Sequence, residues 1–127
     1  MEEMIDVLNA KTGEKTGEII SKKEAHKRGV WHGSIHVLIV NQEKTKTLLQ
    51  KRSAEKDLYP NMWDISVGGH ISAGEDDLTS ATRELKEELS IDASKIKIER
   101  KGRIIENLTN NGVISNEYVS VLLSTPT

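Results

Sequence analysis

The sequence predicts a mixed α/β domain, and three observations carry that prediction. Apolar strand-like segments both precede and follow a single strongly amphipathic helix. That helix is introduced by a glycine-bearing turn, Gly68-Gly69-His70, at the end of a short apolar strand. Turn clusters at Asn9–Gly13 and Asn110–Gly112 separate segments short enough to pair as hairpins. A length of 127 residues suits one domain with a modest core. We divide residues 1–127 into an N-terminal hairpin with a short helix over 1–30 and a core over 31–127.

Each element follows from local chemistry. Met4–Leu8 is a short apolar strand, and Glu18-Ile19-Ile20 is placed to pair back on it. Ser21-Lys22-Lys23-Glu24 has the capping-box pattern, and Gly29 ends the resulting two-turn helix. Trp31–Val40 is a largely buried strand, and Thr47–Arg52 is the next strand after a polar turn. Trp63–Val67 is a short strand delivering the glycine turn. In the helix, Leu78, Ala81, Leu85 and Leu89 recur at helical spacing and define its buried face. Lys95–Glu99, Gly102–Asn107 and Glu117–Leu123 complete the strands.

Composition narrows the partners. Lys plus Arg number 18 against 20 for Asp plus Glu, so a net charge of −2 exerts no general attraction for nucleic acid or anionic membrane. Aromatics make up 3% with no Phe, which removes the stacking platform of most single-strand binders. The absence of Cys excludes disulfides and thiolate zinc sites and fits a reducing compartment. The start Met1-Glu2-Glu3 has neither a basic nor an apolar signal region, and the expectation is cytoplasmic.

One face of the predicted helix is chemically unusual. Glu84, Glu87 and Glu88 stand at i, i+3 and i+4, so their carboxylates converge. Like charges at that spacing destabilise a helix by roughly 0.2–0.5 kcal/mol per pair. Arg83, four residues before Glu87, offers relief in the less favourable order. A hard divalent cation resolves the conflict, because it takes several oxygen ligands in a small volume.

With these residues in place, the stretch Gly69–Ile91 resembles the Nudix box. That pattern is a glycine, five residues, a glutamate, seven residues, then Arg-Glu-aliphatic-x-Glu-Glu-x-Gly-aliphatic. Gly69, Glu75, Arg83, Glu84, Leu85, Glu87, Glu88 and Ile91 fit, and Ser90 departs by replacing the last glycine. The resemblance implies an α/β/α sandwich around a mixed sheet, here shortened at the C-terminus and so with a sheet face open to homodimer formation. It also implies Mg²⁺ or Mn²⁺ held by Glu84, Glu87, Glu88 and the Gly69 carbonyl. Glu84 would be a ligand or the base, with Arg83 and Glu75 bracing loop against helix. The implied activity is hydrolysis of a diphosphate linkage in a small molecule, with a nucleoside diphosphate derivative as the expected class.

The flanks are similar to the isopentenyl-diphosphate isomerase branch of the same superfamily. Arg28-Gly29-Val30-Trp31-His32, Leu49–Ser53 and Tyr59–Ser66 carry that likeness. His26, His32 and His70 match the isomerase metal histidines, and Glu117 matches one of its two glutamates. The other glutamate position is Ser115, and the cysteine position is Gly68. Two proton-transfer groups are therefore missing while the hydrolytic box is nearly complete, which favours a hydrolase over an isomerase. Histidines scattered through a sequence are by default structural or surface residues. Glu117 is open between ligand, base and solvated carboxylate. Lys51 and Arg52 are candidate phosphate contacts, although one of two adjacent strand residues commonly faces water. A non-catalytic module sensing a nucleotide or diphosphate is the alternative from another class, and an intact carboxylate set argues against it.

Overall fold

The structure, a computed structural model, describes residues 3–48, 50–51, 55, 63–64, 66–110 and 112–127. Strands β1 (Met4–Leu8) and β2 (Lys15–Ser21) form the expected hairpin, with an irregularity between Asp6 and Leu8. Helix α1 (Lys22–Arg28) starts where Ser21 caps the Glu24 N–H and ends at left-handed Gly29. Both ends follow the sequence signals, because each leaves a backbone group that its cap satisfies.

Strand β3 (Trp31–Ile39) organises the sheet. On one side it runs parallel to β8 (Val113–Pro126) over nine residue pairs, from Trp31↔Asn116 to Ile39↔Ser124. On the other side it pairs antiparallel with β6 (Val67–His70) and, at Trp31, touches β1. The long β7 (Ile96–Asn110) pairs antiparallel with β8 and forms one edge of the sheet. The two separate strands expected over 95–107 are one strand, which absorbs its break as a bulge between Arg100 and Gly102. The strand expected over 47–52 is also different. Thr47 bridges Val40, whereas β4 (Gln50–Lys51) pairs with β5 (Trp63–Asp64) in a separate two-stranded sheet.

Helix α2 (Asp77–Leu89) lies on one face of the large sheet. Asp76 caps its start, accepting from the Thr79 N–H at 2.8 Å. Ala81 and Leu85 are fully buried against Ile35, Val37, Val67 and Leu122, with Leu78 and Leu89 packed at the rim. Full burial of a side chain as large as Leu85 contributes roughly 1.5–3 kcal/mol. A second cluster, Ile5, Val7 and Ala25, holds α1 against the β1 strand. The face of β3 toward α2 is therefore apolar, while His32, Ser34 and His36 alternate onto the other face.

Candidate active site and a second side-chain cluster

The turn after β6 and the first half of α2 bring the box residues together. Arg83 is the hub. Its Nη2 donates to Glu75 Oε1 and to Ser72 Oγ, both at 3.0 Å, and its Nη1 donates to Glu84 Oε1 at 2.9 Å. A longer contact of 3.4 Å reaches Glu87 Oε2. Ser80 Oγ also donates to Glu75 Oε1 at 2.7 Å. The hydrogen bonds from Arg83 and Ser80 hold the Glu75 carboxyl below its usual range.

Glu84 is pressed against Gly69. A Cβ at position 69 would lie 2.9 Å from the Glu84 Cδ and 3.0 Å from its Oε1, so only glycine admits this approach. Burial pushes the Glu84 carboxyl up, Arg83 opposes that, and the nearby Glu88 and Glu87 charges add to it. Glu87 and Glu88 stand exposed on the same side of the helix. The helix closes at Ser90, which takes the left-handed conformation (φ 55°, ψ 32°), and the Ile91 N–H bonds back to the Leu85 carbonyl at 3.2 Å.

Glu117 is elsewhere. It is 8% exposed and lies on the opposite face of the sheet from Glu84, among histidines contributed by three elements. Its Oε1 is 3.3 Å from His32 Nε2 and 3.2 Å from His70 Nε2, and Ser34 Oγ approaches its Oε2 at 3.4 Å. His26, from α1, joins the group with ring centroids 5.7 Å from His32 and 5.4 Å from His70. One ligand atom from each of His26, His32 and His70 lies within 4.8 Å of the others. All three Nε2 atoms are buried, and no hydrogen bond of good geometry reaches any of them. Burial, with the neighbouring His70, His32 and Lys22 charges, pulls His26 down to about 4. Burial likewise lowers His70. Burial would raise the Glu117 carboxyl, but the two imidazoles beside it hold it well below the usual carboxylate range. Three imidazoles around a carboxylate form a nitrogen-rich donor set suited to a borderline cation.

Sequence spacing does not show this convergence, because the three histidines come from α1, β3 and β6; only the resemblance to the isomerase branch had grouped them with Glu117. Lys51 lies in β4, and Arg52 falls outside the described residues.

The NUDIX domain profile matches residues 30–120. The chain belongs to the NUDIX domain family. Nudix hydrolase 3 of Arabidopsis thaliana is 44% identical over 126 residues, covering 98% of this chain and 16% of that protein. An uncharacterised Nudix hydrolase of Clostridium acetobutylicum is 43% identical over 100 residues, covering 77% of this chain and 43% of its own length. The isopentenyl-diphosphate Delta-isomerase of Rhodobacter capsulatus is 35% identical over 103 residues, with coverages of 80% and 56%. The chain thus spans less than two thirds of each of these relatives. Among solved structures, DR0079 from Deinococcus radiodurans shares the Nudix fold, with a TM-score of 0.75 at 22% identity over 98% of this chain and 75% of that one. No helix among the described residues is long and apolar enough to cross a membrane.

Proposed function

We propose that this Nudix domain hydrolyses a diphosphate linkage in a small molecule, a nucleoside diphosphate derivative, with Mg²⁺ or Mn²⁺. The observation that carries the proposal is Glu84 wedged at Gly69, with Glu87 and Glu88 on the same helix face. This oxygen-rich set fits a hard cation, held by Glu87, Glu88 and the Gly69 carbonyl, with Glu84 alongside. When bound, the cation neutralises diphosphate charge and acidifies a water. Glu84 is the most shielded of the three, and burial raises its proton affinity. Its Oε2, the oxygen not engaged by Arg83, accepts the proton of the attacking water as the oxygen–phosphorus bond forms and the bridging P–O bond breaks. Arg83 and Glu75 fix the helix against the loop, and Lys51 and Arg52 contact the phosphates.

A phosphate-release screen over diphosphate-linked metabolites, run with Mg²⁺, Mn²⁺ and chelator, tests this. Glu88→Gln should abolish release while thermal stability holds or rises slightly, since one like-charge repulsion is removed. Turnover by Glu88→Gln at the parent rate would show the assignment to be wrong.

The three orphaned imidazole nitrogens favour a second cation in a separate site. His26, His32 and His70, with Glu117, would hold it, and their nitrogen-rich chemistry selects Zn²⁺ over Mg²⁺. Its contribution is to tie α1, β3, β6 and β8 together.

A further inference from the structure

The loop that introduces α2 is gripped by a strand remote from it in sequence. Ser72, Ala73, Gly74 and Glu75 form a tight turn, in which the Glu75 N–H donates to the Ser72 carbonyl at 3.0 Å. Gly74 stands at its third position with φ 83°, and Ala73 is not in the positive-φ region. That combination is a type II turn, which favours glycine there. Types I and II differ in the orientation of the central peptide group, here the one joining Ala73 to Gly74. Whatever fixes that group fixes the turn.

Strand β1 supplies the grip. The Ala73 N–H donates to the Met4 carbonyl at 2.8 Å, and Ile5 forms an isolated bridge with Ser72. The central peptide group is held by a side chain, because the Gly74 N–H donates to Asp6 Oδ2 at 3.0 Å. The Asp6 side chain is 13% exposed, and the same oxygen pairs with Lys15 Nζ of β2 at 3.1 Å. An N–H bonded to a charged carboxylate is held more strongly than one bonded to a neutral acceptor. Asp6 belongs to the N-terminal hairpin, ahead of the residues 30–120 that the family profile matches.

The two ends of the turn carry the box's brace. Ser72 Oγ and Glu75 Oε1 both accept from Arg83 Nη2 at 3.0 Å, while Arg83 Nη1 donates to Glu84 Oε1 at 2.9 Å. The turn sets the separation of Ser72 from Glu75, and so sets where the guanidinium sits and how it engages Glu84. We propose that Asp6 is a positioning residue for the hydrolysis, keeping the turn in the form that seats Arg83 against Glu84. The competing role is local: Asp6 would only tie the hairpin together through Lys15. The two roles separate, because Lys15 has no part in the turn.

The inference rests on the proposed diphosphate hydrolysis, so its test has one arm that needs no turnover. The Arg83 side-chain N–H resonance is followed by NMR in the parent chain, Asp6→Ala, Asp6→Asn and Lys15→Ala, with the melting temperature of each. The kinetic arm uses the diphosphate-linked metabolite turned over fastest in the phosphate-release screen. Asp6→Ala should shift and broaden the Arg83 resonance and lower kcat at least about tenfold, with KM within about threefold of the parent. Asp6→Asn keeps an oxygen that accepts from the Gly74 N–H, and should restore most of both signals. Lys15→Ala should leave both near the parent. An unmoved Arg83 resonance in Asp6→Ala overturns the inference, as does a kcat within about threefold of the parent. Equal losses in Asp6→Ala and Lys15→Ala assign Asp6 to the hairpin and overturn it too. If the parent turns over nothing in the screen, the hydrolase proposal fails, and the Arg83 resonance still decides whether Asp6 seats that side chain. If Asp6→Ala does not fold, hydrogen exchange in the parent decides: the Gly74 amide should be protected, and exchange at the free-peptide rate refutes the anchor.

Discussion

Ser90 and His26 show how single residues depart from what their neighbours would prefer. Ser90 occupies the left-handed region at φ 55°, a conformation in which a Cβ crowds the following carbonyl. Replacement by glycine should therefore raise stability by roughly 0.5–1 kcal/mol in a urea titration. Hydrolysis should be unaffected, since the carboxylates lie upstream. A loss of stability would contradict the left-handed assignment. His26 is pulled from 6.5 down to about 4 by burial and by neighbouring imidazole and ammonium charges. Between those values the unfolded chain binds a proton that the folded chain refuses, so stability is intact above pH 6.5 and declines as pH falls toward 4. Melting curves of the metal-free protein across that window should show the decline, and His26→Gln should flatten it. A slope unchanged by that substitution would mean that other groups govern the acid limb.

At the scale of elements, α2 is the clearest case of a sequence pattern turned into packing. Leu78, Ala81, Leu85 and Leu89 were expected to form the buried face from their spacing, and Ala81 and Leu85 are completely enclosed. Leu85→Ala should cost roughly 2–5 kcal/mol by chemical denaturation, the range for removing a leucine from a close-packed core. A cost below 1 kcal/mol would mean that the site collapses around the smaller side chain. The strands after the helix were harder to place. Lys95–Glu99 and Gly102–Asn107 carry a glycine and a charge cluster between them, which reads as a break. Pairing with β8 overrides it, because a bulge loses only local ladder bonds while the strand continues.

Across the whole molecule, the histidine cluster gathers α1, β3, β6 and β8 around one point. A cation there should stabilise the fold as any ligand of the native state does. Zn²⁺ should raise the melting temperature of the metal-free chain, and the gain should vanish in His32→Ala. An unchanged melting temperature with Zn²⁺ would refute the second site. The relatives include proteins named as isopentenyl-diphosphate isomerases, so the chemistry of the two missing groups also matters at this scale. Moving a double bond requires one proton delivered and another removed. Gly68 offers no side chain, and Ser115 is buried with a hydroxyl that is a far weaker acid than a thiol. Incubation with isopentenyl diphosphate and Mg²⁺ should give no dimethylallyl product by NMR; isomer above the enzyme-free control would overturn the hydrolase proposal.

The sequence by itself determined whatever depends on spacing along one element. The hairpin at the N-terminus, both caps of α1, the buried face of α2 and the convergence of Glu84, Glu87 and Glu88 all follow from helical or strand periodicity and local backbone chemistry. The box and its braces could be read for the same reason, since Glu75 and Arg83 belong to one loop and the helix it starts. Tertiary structure alone decided what depends on which strands lie side by side. The parallel pairing of β3 with β8 sets His32 beside Glu117, and the antiparallel pairing with β6 sets His70 opposite Ser34 and Gly68 opposite His36. These residues are separated by tens of positions in the chain, and no local propensity encodes their register. That is why Glu117, which the resemblance matched to a glutamate of the isomerase metal site and left open between ligand, base and solvated carboxylate, lies among histidines on the face away from Glu84.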